Sequence, residues 1–242
     1  VCPEGAIADE ARPTKVAEQH PVLEKECDVL VLGGGGSGLV AAARLGRDTD
    51  KKVIVVEKRP KTGGGAQFAA DFRVYNSKWQ QKRNIPDVTN EKLREVMDQT
   101  FWLLDPKLAI NTFTATAEFF DWYCSLDEGI EDQYVLGTYI FDTPEGPKVP
   151  SYKIPHRGGR AVMDKMLEIC IENGVEILTN TAAVDLTVEN GKIASVKVKD
   201  PGGIINIHCK ACILATGSWI RNKELTECAL LLIQTGDASK ED

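Results

Sequence analysis

The sequence predicts an α/β fold built on a parallel β-sheet. Two short apolar runs, residues 29–32 and 53–56, are continuous in the way of strands that are buried on both faces. Between them, residues 39–45 have the composition of a helix that begins with small side chains. Because a helix joins the two strands, we expect them to lie parallel in one sheet, as in a βαβ unit.

A glycine motif lies between the first strand and the helix. Gly33, Gly35 and Gly38 form the pattern G-x-G-x-x-G. The first glycine permits a tight turn, the second lets the backbone approach a pyrophosphate, and the third allows the helix to pack closely on the strand. The start of the helix also offers free N–H groups and the positive end of its dipole, which favour a phosphate.

An acidic residue completes this pattern at the end of the second strand. Glu57 follows Gly38 by about 20 residues, the spacing at which a carboxylate binds ribose hydroxyls. Together these features predict a Rossmann-like dinucleotide site. The alternative is a glycine-rich loop in another kind of α/β protein.

A second glycine cluster follows at residues 63–65. Such a cluster so soon after the acid is unusual for a domain that binds NAD. It fits a longer dinucleotide such as FAD, whose diphosphate and ribityl chain require a second close approach of the backbone. The alternative is a flexible surface loop.

Composition narrows the class of protein. The 242 residues allow one large domain or two small ones, and the net charge of −7, without a basic cluster, argues against nucleic acid or an anionic membrane as a partner. No apolar run approaches the roughly 18 residues of a membrane span. The seven cysteines are scattered and odd in number, which predicts reduced thiols and a cytoplasmic or anaerobic setting.

Residues 1–26 are predicted to form an N-terminal arm or linker because they are polar, contain prolines and show no sustained period. Cys2 and Pro3 resemble the end of a bacterial ferredoxin motif, in which the last cluster ligand precedes proline. One cysteine cannot hold a cluster. A free cysteine in a tail and a severed iron–sulfur module therefore both remain open.

A helical insertion is predicted over residues 87–126. Thr89 or Asn90 is expected to cap its first helix, and Asp105 with Pro106 is expected to begin the second. Apolar residues recur at helical spacing: Leu93, Val96, Met97, Phe101 and Leu104, then Leu108, Phe113, Ala117 and Phe120. The aromatic residues are therefore interpreted as helix core rather than as a wall that stacks on a cofactor: Phe101, Trp102, Phe119, Phe120, Trp122 and Tyr123.

The rest of the chain is predicted to complete the sheet. Residues 127–157 are rich in proline and glycine and are interpreted as an irregular excursion that can include a hairpin. A helix with a stripe of apolar side chains follows and ends at Asn173 and Gly174. The remaining strands are a third parallel strand, a three-stranded antiparallel crossover and a last parallel strand: residues 175–178, then 181–188, 193–199 and 204–208, then 211–215.

Two groups of potentially reactive side chains are predicted to have structural roles rather than roles in catalysis or binding. Cys209 and Cys212 are three steps apart on a strand and are expected to face opposite sides of the pleat, which predicts core packing rather than a redox or metal pair. His156 and Arg157 are interpreted as solvated loop residues, with binding of a substrate carboxylate as the alternative. The histidines have no metal-ligand spacing, so no metal site is predicted.

Over residues 27–227 the chain resembles the flavoprotein family of soluble fumarate reductases and succinate dehydrogenases, with urocanate and other enoate reductases and 3-ketosteroid dehydrogenases. The resemblance rests on the first glycine motif, the sequence Glu-Lys-x-Pro from Glu57, the second glycine cluster, and several later matches: Phe68-Ala69, Asn76-Ser77, Gln80, Trp122, Gly158-Gly159-Arg160-Ala161 and the run 213–217. It implies a Rossmann-like, GR2-type FAD-binding domain.

The chain departs from the family pattern at three points. Gly65 and Ala66 stand where the family usually has Asn-Ser, and Asp71 stands where it has a glycine near the flavin ring. The histidine that attaches flavin covalently is absent, so the resemblance implies non-covalent FAD.

The resemblance implies an FAD-dependent oxidoreductase that acts on carbon–carbon bonds, in which hydride passes from flavin N5 to an unsaturated carboxylate. The catalytic acid is expected outside this chain, because residues 228–242 are interpreted as the truncated start of a next segment. The alternatives are an electron-transfer module with a ferredoxin-like or other electron-donor partner, and a catalytically incomplete fragment. The predicted FAD contacts are Gly33, Gly34, Gly35, Gly36, Ser37, Gly38, Glu57, Lys58, Arg59, Gly63, Gly64, Gly65, Ala66, Ala183, Ala215, Thr216 and Gly217.

Overall fold

A computed structural model describes residues 22–69, 71–133, 135–138, 150–153 and 158–218. In chain order these residues form β1 (Leu23–Leu32), α1 (Gly36–Asp48), β2 (Val53–Val56), β3 (Asp71–Arg73), α2 (Lys78–Lys82), α3 (Thr89–Gln99), α4 (Pro106–Cys124), β4 (Val135–Thr138), β5 (Pro150–Lys153), α5 (Gly159–Glu172), β6 (Glu176–Leu178), β7 (Ala182–Glu189), β8 (Lys192–Asp200) and β9 (Gly203–Leu214). Short 3₁₀ turns occur at Ala66–Phe68 and Glu131–Gln133.

The main sheet has six strands in the order β6-β2-β1-β9-β8-β7. The first four are parallel, whereas β8 runs antiparallel to both of its neighbours, β9 and β7. Leu32 at the end of β1 lies opposite both Val56 of β2 and Leu214 of β9. The carboxyl ends of the three central strands therefore meet at one edge, and the predicted α/β fold is confirmed.

Two apolar clusters fill the faces of this sheet. On one face, Val31 packs with Leu39 of α1, Phe120 of α4 and Met166 of α5, all nearly inaccessible to solvent. The other cluster joins β1 and β2 to the antiparallel strands through Leu30, Leu32, Ile54, Val56, Val196, Val198, Ile205 and Ile207. Full burial of one such side chain contributes about 1.5–3 kcal/mol, so the two clusters anchor the strands on both sides of the sheet.

The first and last strands are longer than predicted. Leu23 pairs with Ile205 and Cys27 with Cys209, so residues 23–26 belong to β1 rather than to an arm. Likewise β9 is one continuous strand, whereas the sequence predicts two, at residues 204–208 and 211–215. The first half of β9 pairs with both β1 and β8. This long-range pairing stabilises the polar residues at the start of β1, which have no strand pattern of their own.

The helical insertion contains both predicted helices, α3 and α4. Asp105 caps α4 by accepting the N–H groups of Lys107 and Leu108 at 2.8 and 3.1 Å, as predicted. The predicted cap of α3 is wrong: Thr89 is the first helical residue, and its N–H donates to the carboxylate of Asp87 at 2.9 Å. An aspartate two residues earlier is a stronger acceptor than either expected side chain.

A further short helix, α2, is missing from the sequence prediction. It begins with a capping box, in which Gln80 N donates to Ser77 Oγ at 3.3 Å and Ser77 N donates to Gln80 Oε1 at 2.7 Å. The sequence Ser-x-x-Gln is the signal that could have identified it.

The aromatic side chains divide into two groups. Phe120 and Tyr123 are buried and Phe119 and Trp122 pack partly against the core, so the core interpretation is confirmed for α4. Leu104 and Leu108, which recur at helical spacing, are exposed as well. The core interpretation is wrong for Phe101 and Trp102, which are 83% and 60% exposed. The reason is that α3 ends at Gln99, and Phe101 and Trp102 adopt positive φ angles of 51° and 58°, so helical spacing no longer applies to them.

The predicted hairpin is confirmed in the described part of the excursion. Strands β4 and β5 pair antiparallel, and β3 adds a third strand that the sequence does not predict. Residues 139–149 and 154–157, and with them His156 and Arg157, lie outside the described residues. Among the helices that the structure describes, none combines the length and apolarity that crossing a bilayer requires.

Cys209 and Cys212 both pack against the cluster that contains Leu30, so the prediction of opposite faces is wrong. The alternation of faces breaks between them, as it does on β1, where Cys27 and Leu30 also contact this cluster. Both thiols are free, and the core-packing interpretation is confirmed. Within the described ranges, no group of three or more His, Cys, Asp or Glu residues could hold a metal ion.

Candidate functional site

Two positions, one in the turn between β1 and α1 and one in the first turn of α1, can be occupied only by glycine. Gly33 has a φ of +111°, and a Cβ at this residue would lie 2.3 Å from the carbonyl oxygen of Ala215. A Cβ at Gly38 would lie 1.8 Å from the carbonyl oxygen of Gly33. Both residues are therefore glycine because the backbone of the turn packs against itself and against the end of β9.

Gly35 differs, because packing within the protein does not explain it. Its φ is an ordinary −83°, and the nearest atom to a Cβ would be the Gly64 Cα at 3.8 Å. Gly35 is the N-cap of α1, and no side chain caps the helix there. The first N–H groups of α1 therefore have no side-chain cap, and Gly35 beside them has no side chain to fill the adjacent space. This arrangement suits an anion.

Glu57 at the end of β2 is 7% exposed. Its carboxylate accepts the N–H of Gly34 at 2.9 Å through Oε2, and the N–H of Arg59 at 2.8 Å through Oε1. The side chain therefore holds the first glycine loop against the end of β2. Each carboxylate oxygen has a further lone pair, so the group can still accept a hydrogen bond from a ligand.

The second glycine loop lies directly against the first. Gly63 has a φ of +108°, and its N–H donates to the carbonyl oxygen of Gly34 at 2.7 Å. Gly64 has a φ of +50°, and a Cβ there would lie 3.0 Å from the Gly35 Cα. Gly65, by contrast, has no atom within 4 Å of its Cβ position. The two loops that the sequence predicts to share a ligand are thus in contact.

Two residues that the sequence analysis did not assign complete the second loop. Gln67 Nε2 donates to the carbonyl oxygen of Gly64 at 2.7 Å, and Arg160 Nη1 donates to Gln67 Oε1 at 3.0 Å. Gly159 packs so tightly on the 3₁₀ turn that a Cβ would lie 1.8 Å from the carbonyl oxygen of Ala66. Gly159 and Arg160 belong to a run that matches the family pattern, and this match was the signal that could have identified the contact.

The remaining predicted residues lie around these loops. Lys58, Arg59 and Ser37 are exposed, and Ala66 lies beside Gly36, whose Cβ would be 2.9 Å from the Ala66 Cβ. The structure places Ala183 in β7, two residues after Thr181, whose N–H donates to the Glu57 carbonyl oxygen at 2.9 Å. Ala215, Thr216 and Gly217 follow β9, and Ala215 N donates to the Leu32 carbonyl oxygen at 2.9 Å.

Comparison with known proteins identifies a family match. The family model described as "FAD binding domain" matches residues 28–240. A fumarate reductase (cytochrome) of Shewanella frigidimarina is 27% identical over 205 residues, which cover 81% of this chain and 34% of the relative. A vinyl phenol reductase of Lactiplantibacillus plantarum is 26% identical over 204 residues, which cover 83% of this chain and 39% of the relative. The chain spans little more than a third of the length of these curated relatives.

Solved structures share the fold. The open conformation of a flavocytochrome c3 fumarate reductase superposes with a TM-score of 0.69 at 24% identity, over 83% of this chain and 35% of that one. A 3-ketosteroid-Δ4-(5α)-dehydrogenase of Rhodococcus jostii RHA1 gives a TM-score of 0.66 at 18% identity, over 89% of this chain and 50% of that one.

Proposed function

The chain belongs to the FAD binding domain family, and we propose that it is the FAD-holding part of an oxidoreductase that reduces the carbon–carbon double bond of an unsaturated carboxylate. Its relatives are FAD-dependent oxidoreductases, and FAD is its cofactor. The observation that carries the proposal is the contact between the two glycine loops beside the uncapped start of α1, with Glu57 at their base.

We assign the diphosphate of FAD to these loops. The first N–H groups of α1 would bind phosphate oxygens, and the missing side chain of Gly35 leaves room for them. Glu57 would accept a ribose hydroxyl through a lone pair that its two backbone hydrogen bonds leave free. The backbones near Ala183 and Gly217 are assigned to the adenine and to the flavin side, respectively.

The relatives support reduction of a conjugated carbon–carbon double bond, and the fumarate reductase among them supports a carboxylate on that bond. Fumarate and vinyl phenols both carry a conjugated carbon–carbon double bond, and a fumarate reductase and a vinyl phenol reductase are both similar to this chain. When bound, FAD supplies the hydride for such a reduction, and the protein supplies position and electrostatics. We assign no catalytic acid to the described residues, and we expect it in the part of the relatives that this chain does not span.

A second candidate function is electron transfer. Cys2 and Pro3, which lie outside the described residues, resemble the end of a ferredoxin motif and favour an iron–sulfur neighbour. On this hypothesis, the chain holds FAD and transfers electrons between the flavin and a redox partner. A reducing, cytoplasmic setting stays a prediction from the cysteine content.

The experiment that separates these functions follows the reoxidation of bound flavin. The chain is joined to the remaining part of a fumarate reductase relative, loaded with FAD and reduced photochemically without oxygen, and fumarate is added while flavin absorbance is recorded. We expect fumarate to restore the absorbance and succinate, which has the same two carboxylates but no double bond, to leave it unchanged. Reoxidation by a ferredoxin but not by fumarate would favour electron transfer and contradict the reductase proposal.

A further inference from the structure

We propose that Arg160 is a positioning residue for the second glycine loop and that it acts through the side-chain amide of Gln67. The inference rests on the proposed function, since it concerns the loop that we assign to the FAD diphosphate. The two residues are 93 positions apart in the sequence and are brought together where α5 begins against the Ala66–Phe68 turn.

Gln67 holds the second loop at two points. Its side-chain Nε2 donates to the carbonyl oxygen of Gly64 at 2.7 Å, and its backbone N–H donates to that of Gly63 at 3.2 Å. Its Oε1 accepts a hydrogen bond from Arg160 Nη1 at 3.0 Å. A continuous chain of hydrogen bonds therefore runs from the guanidinium to the loop backbone.

Arg160 determines which end of the Gln67 amide faces Gly64. A guanidinium has only N–H donors, and a carbonyl has only acceptor capacity. If the amide turned over, its NH₂ would face the guanidinium and its oxygen would face the Gly64 carbonyl, so both contacts would be repulsive. With Arg160 in place, Gln67 can only donate to Gly64. Without Arg160, one of the two penalties disappears, so the turned amide becomes less unfavourable and the hold on Gly64 weakens.

The direction of the Gly64 carbonyl matters for the ligand. A trans peptide is planar, so the carbonyl of Gly64 and the N–H of Gly65 point in opposite directions. Gln67 holds the carbonyl, and the Gly65 N–H is therefore directed away from Gln67. The space around Gly65 is open, with no atom within 4 Å of its Cβ position. Arg160 thus fixes the direction of an amide that we assign to the diphosphate.

Arg160 is itself firmly supported. Its Nη2 pairs with Asp164 one turn along α5 at 2.8 Å, and its side chain is 37% exposed. The preceding residue, Gly159, donates its N–H to the carbonyl of Ala69. The start of α5 is therefore attached to the residue that follows the Ala66–Phe68 turn, and from there the guanidinium reaches Gln67.

The test compares three variants of the full chain: Arg160→Ala, Gln67→Glu and Arg44→Ala. Gln67→Glu keeps the length of the side chain and still accepts from Arg160, but a carboxylate cannot donate to Gly64. Arg44 is the control arginine, because its side chain is 40% exposed and pairs with Asp48 one turn along α1 at 2.7 Å. It also approaches Glu118 at 3.8 Å and lies 5.1 Å from the centre of the Trp122 ring, so its loss sets an upper limit for the stability change. The measurements are FAD affinity, the melting temperature of the apoprotein, and hydrogen exchange of the backbone amides of residues 64–67.

We expect Arg160→Ala and Gln67→Glu to weaken FAD binding by about tenfold, because each variant removes one hydrogen bond from the series that links the guanidinium to the loop. Exchange of the loop amides should be faster than in wild type, while the melting temperature of the apoprotein stays within the change that Arg44→Ala causes.

Unchanged FAD affinity in Gln67→Glu, or unchanged loop exchange in Arg160→Ala, would overturn this inference alone. A wild-type chain that takes up no FAD would contradict the proposed function instead, and the exchange measurement on the apoprotein would still test the role of Arg160. A melting temperature that falls in Arg160→Ala with no additional change in loop exchange would identify a purely structural residue.

Discussion

The carboxylate of Glu57 accepts the backbone N–H of Gly34 at 2.9 Å, in a position where it is 7% exposed. The residue that the sequence assigns to a ribose is therefore also a structural part of the first glycine loop, which we assign to the diphosphate. Glu57 connects the end of β2 to the loop that follows β1, so its loss affects the loop and the ligand together.

Replacement of Glu57 by alanine should lower both stability and FAD affinity. The buried N–H of Gly34 would lose its acceptor, which costs about 1–3 kcal/mol. We expect a fall in the melting temperature of several degrees and weaker FAD binding, measured by thermal unfolding and by quenching of flavin fluorescence. Glu57→Gln, which keeps one acceptor oxygen, should lie between wild type and Glu57→Ala. FAD affinity equal to that of wild type in Glu57→Ala would remove the ribose role.

Alanine at Gly35 and at Gly38 should produce different defects. At Gly38 the new Cβ would meet the Gly33 carbonyl oxygen at 1.8 Å, so the apoprotein itself should be strongly destabilised. At Gly35 the nearest atom is 3.8 Å away, so the apoprotein should melt as wild type does while FAD binding is lost or greatly weakened. Circular dichroism and flavin titration distinguish the two. Normal FAD binding by Gly35→Ala would show that the space beside Gly35 is not the diphosphate site.

The buried thiols should resist alkylation in the folded protein. Burial raises the pKa of Cys27 and of Cys170 to about 12. At pH 8 roughly one such thiol in ten thousand is a thiolate, against about a quarter of unfolded thiols with a pKa near 8.5. Iodoacetamide should therefore label these residues slowly in native protein and rapidly in urea, as followed by mass spectrometry. Equal rates in both conditions would contradict the burial of these two thiols.

The pair formed by Lys82 and Glu131 should make stability sensitive to acid. The hydrogen bond from Lys82, at 3.2 Å, lowers the pKa of Glu131 below its ordinary value of 4.5. The stabilisation is therefore present above pH 4.5 and is lost as the pH falls through the lower folded value. Because Glu131 is 32% exposed, we expect less than about 1 kcal/mol.

Urea unfolding of wild type and Glu131→Gln at pH 7 and pH 3.5 measures this contribution. The difference between the two proteins should be present at pH 7 and should shrink at pH 3.5. Asp132→Asn, at the neighbouring exposed carboxylate, is the control for general charge removal. A difference that grows at pH 3.5 would mean that the sign of the linkage is wrong.

The sequence predicted those elements in which the spacing of apolar residues matches the burial of those residues in the folded protein. Val53–Val56 is a strand with the predicted bounds, because four consecutive apolar residues are buried on both faces of the sheet. Leu23 and the polar residues after it could not be recognised, because only pairing with β9 makes them a strand. Phe101 and Trp102 followed the spacing of α3 but lie beyond its end, which the sequence does not mark with a glycine or proline.

The candidate site divides in the same way. Gly33 and Gly38 could be predicted because the positive φ of Gly33 and the contact of Gly38 with the Gly33 carbonyl are local and recur in dinucleotide-binding folds, whereas the contact of Gly33 with Ala215 is long-range. Arg160 and Gln67 could not, because their contact joins two elements far apart in sequence and neither residue type is specific to a ligand. Long-range hydrogen bonds of this kind leave no periodic signal in the chain.

The central claim is that the two contacting glycine loops hold FAD, and uptake of flavin by the purified chain tests it most directly. After incubation with FAD and removal of the excess, we expect one flavin per chain, released intact on denaturation because it is not covalently attached. A correctly folded, colourless protein, with the circular dichroism of an α/β domain and no bound flavin after this treatment, would contradict the account.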